Sequence, residues 1–224
     1  MLFQIVHRTR YCYDGPVYFD PHEVRLRPRC DWSQRVLDFR LEIEPEPASI
    51  AHNLDADGNL VARAWFAGAH KTLRITTHAT VETLRSNPFD FLLSDDFAVL
   101  PAKYAAEEAA ALVPFRQTGV VFGPVLELGR ELLRQTEGKP LLFLRSLNGH
   151  IYTSLKTEVR LEGRPLAAEE TLARGRGACR DLAVLFVAVC RAVGLAARFV
   201  SGYQAGVQKQ QERYMHAWAE AYLP

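Results

Sequence analysis

The chain has 224 residues with 27 basic and 26 acidic side chains, and 48% of its residues are hydrophobic. This composition can bury a sizeable core in one large or two small domains. Both signs of charge are spread along the chain, which argues against nucleic-acid or anionic-membrane partners. The longest apolar run, Leu182–Cys190, is less than half of what a bilayer requires. The N-terminal sequence is interrupted too early for a signal peptide, so we expect a soluble, cytoplasmic protein.

The first third of the chain has the pattern of β-strands. Apolar residues alternate with polar or charged ones over 37–44 and again over 73–82, which predicts strands with one buried face. Asp14-Gly15 and Asp57-Gly58 are typical of hairpin turns. We therefore predict a β-rich N-terminal domain over residues 1–84, folded as a small antiparallel sandwich or half-barrel.

The middle of the chain reads as helical. Pro114 is expected to end the first helix, and Gly123-Pro124 to open the second. We assign residues 85–118 to a helical linker and residues 119–224 to a core domain. The predicted helices are Lys103–Leu112, Val125–Thr136, Leu141–Ile151 and a further turn over Glu169–Arg174.

The last segment predicts a helix followed by a strand pair. The helix from Cys179 to about Val193 is apolar nearly all round, so it belongs at the centre of a domain, and Gly194 suits its C-terminal cap. Strands are expected over Ala197–Tyr203 and Tyr214–Leu223, with a polar loop over 204–213. The fold class is therefore α+β.

Cys179 is the first candidate functional residue. It follows a glycine-containing turn and begins the central helix, where backbone N–H groups and the helix dipole stabilise a thiolate. Gly175 and Gly177 could let the backbone approach a substrate closely, and Arg176 and Arg180 add positive charge. The alternative is that the glycines serve only a tight turn and the arginines are solvated. Cys12, Cys30 and Cys190 are interpreted as small core or near-surface thiols, since four scattered cysteines make no disulfide framework.

His216 is the candidate general base for this thiol. On an alternating strand it shares a face with Trp218 and Glu220, while methionine and alanines form the other face. The methyl-bearing face suits packing against the helix, which would point His216 away unless the strand twists or the helix terminus projects beyond it. A triad also needs a group that orients the imidazole. Glu220 lies about 13 Å along the strand, so a third member would come from upstream or is missing.

The sequence predicts neither a metal nor a cofactor. Cys179 and His216 are only two suitable ligands and lack the paired cysteine spacing of zinc sites. No cluster of carboxylates suggests calcium.

The C-terminal half carries three motifs, over residues 176–183, 190–203 and 216–220. Together they resemble the core of bacterial transglutaminase-like proteins, a family described as cysteine proteases. Upstream residues Tyr152, Thr157 and 170–172 resemble the family's approach to the catalytic helix. Four stretches of the first domain, 9–13, 26–29, 57–59 and the run before Val81-Glu82, resemble the β-rich N-terminal domain that accompanies this core, so the likeness covers nearly the whole chain.

The resemblance implies a papain-like α+β fold with a Cys-His-Asp triad, in which Cys179 is the nucleophile and His216 the base. In the family the aspartate follows on the next strand, beyond Pro224, so the core is expected to be C-terminally incomplete. The Cys179 backbone N–H is a candidate oxyanion donor. Some relatives use an upstream tryptophan, which none of the three tryptophans here matches (Trp32, Trp65 and Trp218).

The expected activity is cysteine-dependent acyl transfer on a peptide or protein amide through a thioester. We expect hydrolysis rather than cross-linking, because no acceptor site is legible and water is always present. The alternative is a catalytically silent scaffold or binding module of the same fold. The sequence gives no prediction of the oligomeric state.

Overall fold

A computed structural model gives the fold of the chain. The chain divides into two compact units, Met1–Phe91 and Leu92–Pro224. None of the helices in the described ranges is long and apolar enough to cross a membrane. The described residues are 1–87, 90–94, 97–117, 123–205 and 214–224.

The first unit is built from two three-stranded antiparallel sheets, ordered β1-β6-β3 and β2-β5-β4. Its core contains Val24, Ala62, Leu73 and Ile75. The antiparallel β architecture predicted for this part of the chain is confirmed. The strands are β1 (Leu2–Tyr18), β2 (His22–Val24), β3 (Gln34–Glu44), β4 (Ser49–Leu54), β5 (Leu60–Trp65) and β6 (Ala69–Thr83).

The two predicted hairpin turns have different outcomes. Asp57-Gly58 lies between β4 and β5, and Gly58 has φ +76° as such a turn requires. The prediction at Asp14-Gly15 is wrong, because both residues lie inside β1. The pairing of β1 with β6 shifts register between Cys12 and Val17, so the extra residues form a bulge and the strand continues on the same partner.

The second unit combines helices with short strands. The predicted helix ending at Leu112 is shorter than expected, and Pro114 lies in the first turn of the next helix, a position that proline tolerates. Most of the predicted loop 204–213 lies outside the described residues. The elements are α1 (Ala106–Ala111), α2 (Val113–Arg116), α3 (Pro124–Gln135), α4 (Pro140–Ser154), β7 (Lys156–Thr157), α5 (Ala168–Arg174), β8 (Arg176–Gly177), α6 (Cys179–Ala192), β9 (Ala197–Gly202) and β10 (His216–Ala221).

Helix α6 is the centre of this unit, as its sequence predicts. It packs against α3, α4, α5, β9 and β10. Leu185 and Val189 on α6 are fully buried with Phe143 and Leu147 of α4 in one apolar cluster. Gly194 ends the helix with φ +82°, a conformation that costs other residues free energy.

Candidate active site

Cys179 is the first residue of α6, and its side chain is partly exposed. The two residues of β8 lead into it and pair in parallel with β7. The Lys156 N–H donates to the Gly175 carbonyl at 2.9 Å, and the Glu158 N–H donates to the Gly177 carbonyl at 3.0 Å. The thiol therefore stands on a strand-to-helix turn whose strand side is fixed by hydrogen bonds.

The two glycines before Cys179 have structural roles. Gly175 caps α5 in the left-handed conformation, with φ +61°. A Cβ added to Gly177 would lie 2.9 Å from the Asp181 Cβ and 3.2 Å from the Thr171 Cγ2. Close packing against the helix that follows therefore requires a glycine at position 177. These structural roles account for both glycines without a role in substrate approach.

Asp181 is the buried charge of the site, with no exposed surface. Its carboxylate accepts hydrogen bonds from the Ala178 N–H at 2.8 Å, the Leu166 N–H at 2.9 Å and the Arg160 guanidinium at 2.5 Å. Burial alone would raise the pKa of Asp181, but these donors outweigh it and lower the pKa below its ordinary value. The carboxylate is thus held in its charged form.

The arginines beside Cys179 are engaged with protein groups. Arg180 donates to the carbonyl oxygens of Arg160 at 2.6 Å and Glu162 at 2.7 Å. Arg176 lies 3.6 Å from the Glu158 carboxylate and is well exposed. Arg180 therefore binds the segment 158–167, between β7 and α5, to the first turn of α6.

Two backbone donors remain open at the start of α6. The Ala178 N–H is taken by Asp181, while the N–H groups of Asp181 and Leu182 donate to the Ala178 carbonyl. Within the described part of the chain, the N–H groups of Cys179 and Arg180 have no acceptor. Paired backbone donors beside a nucleophile are the kind of group that stabilises an oxyanion.

The register of the strand pair bears on where His216 lies relative to α6. Strand β9 begins at Ala197, three residues after Gly194, and α6 packs against both β9 and β10. A six-residue strand is about 17 Å long, close to the helix length of about 20 Å. Residues at the start of β9 pair with the end of β10, Ala197 with Ala221, while Gly202 pairs with His216. If β9 runs back along α6, this register places His216 toward the helix end that carries Cys179.

The face of β10 that packs on the core is the one that the alternation predicted. Ala219 and Ala221 pack against the buried cluster, so His216 and Trp218 share the opposite face, with ring centroids 5.5 Å apart in an edge-to-face contact. The described residues form no hydrogen bond between the Cys179 thiol and the His216 ring. Glu220 does not orient His216 either, because its carboxylate pairs with Arg198 at 2.7 Å.

The other cysteines differ from Cys179 in their surroundings. Cys190 is fully buried on α6, and this burial raises its pKa strongly. Cys12 and Cys30 are exposed on the first unit. In the described ranges no group of three or more His, Cys, Asp or Glu side chains could hold a metal ion.

Comparison with known proteins identifies the family. The model of the bacterial transglutaminase-like N-terminal region matches residues 3–82, and the model of the transglutaminase-like superfamily matches residues 130–224. The uncharacterized protein Rv2569c of Mycobacterium tuberculosis is 30% identical over 239 residues, covering 99% of this chain and 74% of its own length. The chain belongs to the bacterial transglutaminase-like proteins. A further relative, ML0607 of Mycobacterium leprae, is 27% identical, with 98% of this chain and 78% of its own length covered.

A solved structure supports the same fold assignment. A putative cysteine protease from Cytophaga hutchinsonii aligns with a TM-score of 0.66 and 20% identity, covering 100% of this chain and 75% of its own. The predicted fold, an antiparallel β domain followed by a transglutaminase-like core, is therefore confirmed. Family membership supports cysteine-based catalysis in general terms. Cys179 and His216 remain predicted catalytic residues.

Sequence reasoning missed the part played by Asp181 and Arg160. Asp181 was visible as a charged residue in the first turn of an otherwise apolar helix. Such a residue is either a helix cap or a buried ion that needs a partner. Its partner could not be found in the same way, because Arg160 lies in a segment without regular secondary structure.

Proposed function

We propose that this protein breaks peptide-type amides by covalent catalysis at Cys179. The observation that carries the proposal is the placement of this thiol on the first residue of a buried helix, beside two backbone N–H groups without acceptors within the described ranges. A thiolate and the oxyanion formed on attack are both stabilised by such donors.

The steps follow from the roles of two side chains. His216 accepts the thiol proton as the Cys179 sulfur attacks the amide carbonyl. The tetrahedral intermediate then collapses, the C–N bond breaks, and the imidazolium returns the proton to the leaving amine. A water molecule, deprotonated by His216, attacks the thioester. Its C–S bond breaks, which releases a carboxylic acid and regenerates the thiol.

We further propose that water, rather than an amine, resolves the thioester in the ordinary reaction. An acyl-enzyme open to solvent meets water at far higher concentration than any amine, and no acceptor site is evident in the described part of the unit. We take the substrate of this reaction to be an amide of a peptide or protein.

The test uses the whole protein with a set of fluorogenic peptide amides, and intact-mass spectrometry to trap the acyl-enzyme. We expect release of the amine, an adduct on Cys179 that hydroxylamine removes, and loss of both signals in Cys179→Ala. Added methylamine should give the N-methylamide as a minor product. Turnover retained in Cys179→Ala would overturn the proposal, and an N-methylamide as the main product would overturn the preference for hydrolysis.

A second candidate is a catalytically silent binding module. It is favoured by one observation, that within the described ranges no carboxylate or amide side chain hydrogen-bonds to the His216 ring. An imidazole without an orienting partner is a weaker base. The absence of an acyl-enzyme with every peptide amide, together with normal folding, would select this candidate.

A further inference from the structure

The carboxylate of Asp181 joins two parts of the chain that flank Cys179. Its Oδ2 accepts from the N–H of Ala178, the residue directly before the cysteine. Its Oδ1 accepts from the Leu166 N–H and from Arg160, both in the segment 158–167. One buried side chain therefore fixes the entry to α6 relative to this segment.

Helix capping alone does not explain a buried ion pair at this position. Removing a carboxylate from water is costly unless it is paired and hydrogen-bonded. Serine, threonine or asparagine can satisfy the start of a helix without burying a charge. Asp181 is nevertheless fully buried, and the Arg160 side chain that pairs with it is only 24% exposed.

A second set of contacts fixes the same turn from Arg180. Its guanidinium donates to the carbonyls of Arg160 and Glu162. Arg180 and Asp181, the two residues after Cys179, are therefore both hydrogen-bonded to the segment 158–167. The open N–H groups of Cys179 and Arg180 belong to the same turn.

We propose that Asp181 and Arg160 are positioning residues for the Cys179 thiol, an inference that rests on Cys179 being the nucleophile. Asp181 has no exposed surface, so it cannot touch a substrate. Its effect is on the geometry of the thiol and of the two N–H groups, and displacements of about 1 Å can cost a hundredfold in rate. Loss of the pair therefore lowers kcat rather than raising KM.

The test compares Asp181→Asn, Arg160→Met and Arg160→Lys with the wild type. Glu170→Gln is the matched control, since it removes an exposed ion pair with Arg174 on the neighbouring α5. The readouts are the rate at which iodoacetamide labels Cys179, the melting temperature, and kcat and KM on the peptide amide. We expect Asp181→Asn and Arg160→Met to slow labelling about tenfold and kcat about a hundredfold in folded protein, with KM unchanged. Arg160→Lys should recover part of the labelling rate and part of kcat, and Glu170→Gln should match the wild type.

Variants that melt earlier but label Cys179 at the wild-type rate while folded would overturn the proposal, because the pair would then be only structural. Should Asp181→Asn fail to fold, the test rests on the two Arg160 variants, because the side chain at position 160 is partly exposed. A wild-type Cys179 that labels no faster than exposed Cys12 would overturn the proposed function and this inference together. Variants that label at the wild-type rate would remove the positioning inference alone, so its failure can be distinguished from failure of the proposed function.

Discussion

The indole of Trp218 lies edge-on to the imidazole of His216, with the ring planes at 83°. The same indole covers Gly202, where an added Cβ would lie 3.1 Å from the Trp218 Cζ3. Gly202 is also the residue that pairs with His216 across the two strands. The absence of a side chain at Gly202 thus makes room for the aromatic ring that limits how the imidazole can turn.

This contact predicts a graded effect on catalysis. His216→Ala should lower the amide-hydrolysis rate by about a hundredfold or more, the usual contribution of a general base. Trp218→Ala should lower it by a smaller factor because the imidazole becomes free to rotate, and Trp218→Phe should restore most of the loss. Steady-state kinetics measure all three, with Glu220→Gln as the control on the same strand. Equal rates in Trp218→Ala and wild type would show that the indole does not orient the ring.

The four cysteines should differ in their reactivity toward iodoacetamide near neutral pH. Cys179 is expected to label fastest because it begins a helix. Exposed Cys12 and Cys30 should follow, and buried Cys190, whose pKa is raised, should label only when the protein unfolds. Peptide mass spectrometry over a time course gives the four rates. Similar rates for Cys179, Cys12 and Cys30 would remove the basis for treating Cys179 as an activated thiol.

Two glycine-to-alanine changes should alter stability in opposite directions. Gly177→Ala forces a Cβ to within 2.9 Å of the Asp181 Cβ, and such overpacking costs about 2 kcal/mol. Gly149 lies inside α4 with nothing within 4 Å of the added carbon, so Gly149→Ala should gain about 0.5–1 kcal/mol. Urea unfolding measures both. A neutral Gly177→Ala would mean that β8 can move away from α6.

Asp181 should make part of the stability depend on pH. Its folded pKa is lowered, so its contribution is complete above the unfolded carboxyl pKa, near 4, and is lost as the pH falls through the lower folded value. At pH 7, Asp181→Asn should be less stable than wild type by about 2 kcal/mol. That difference should shrink below about pH 4. Unfolding free energies from pH 7 downward test this, and a constant difference at every pH would contradict it.

The bounds of α6 could be predicted because its signals are local. An all-round apolar run and a terminal glycine predict Cys179 to about Val193, and the helix spans Cys179–Ala192. The face of β10 that packs inward was equally legible from its alternating alanines. Both patterns reflect burial of neighbouring residues, which a sequence displays directly.

The contacts around Cys179 could not be predicted because they join distant residues. Arg160 and Leu166 reach Asp181 from a segment with no periodic pattern. The wrong hairpin at Asp14-Gly15 has a related cause. Asp-Gly suits several backbone conformations, and only the partner strand β6 decides between a turn and a bulge.

The segment 158–167 differs from an ordinary surface loop in its tolerance to change. Surface loops usually tolerate changes in length, and this tolerance depends on whether their backbone groups are hydrogen-bonded to the rest of the protein. Here Leu166 gives its N–H to Asp181, and the carbonyls of Arg160 and Glu162 accept from Arg180. An insertion between these points would pull on the residues that follow the cysteine. We therefore expect that neither natural insertions nor engineered tags are tolerated within residues 158–167, although this stretch has no regular secondary structure.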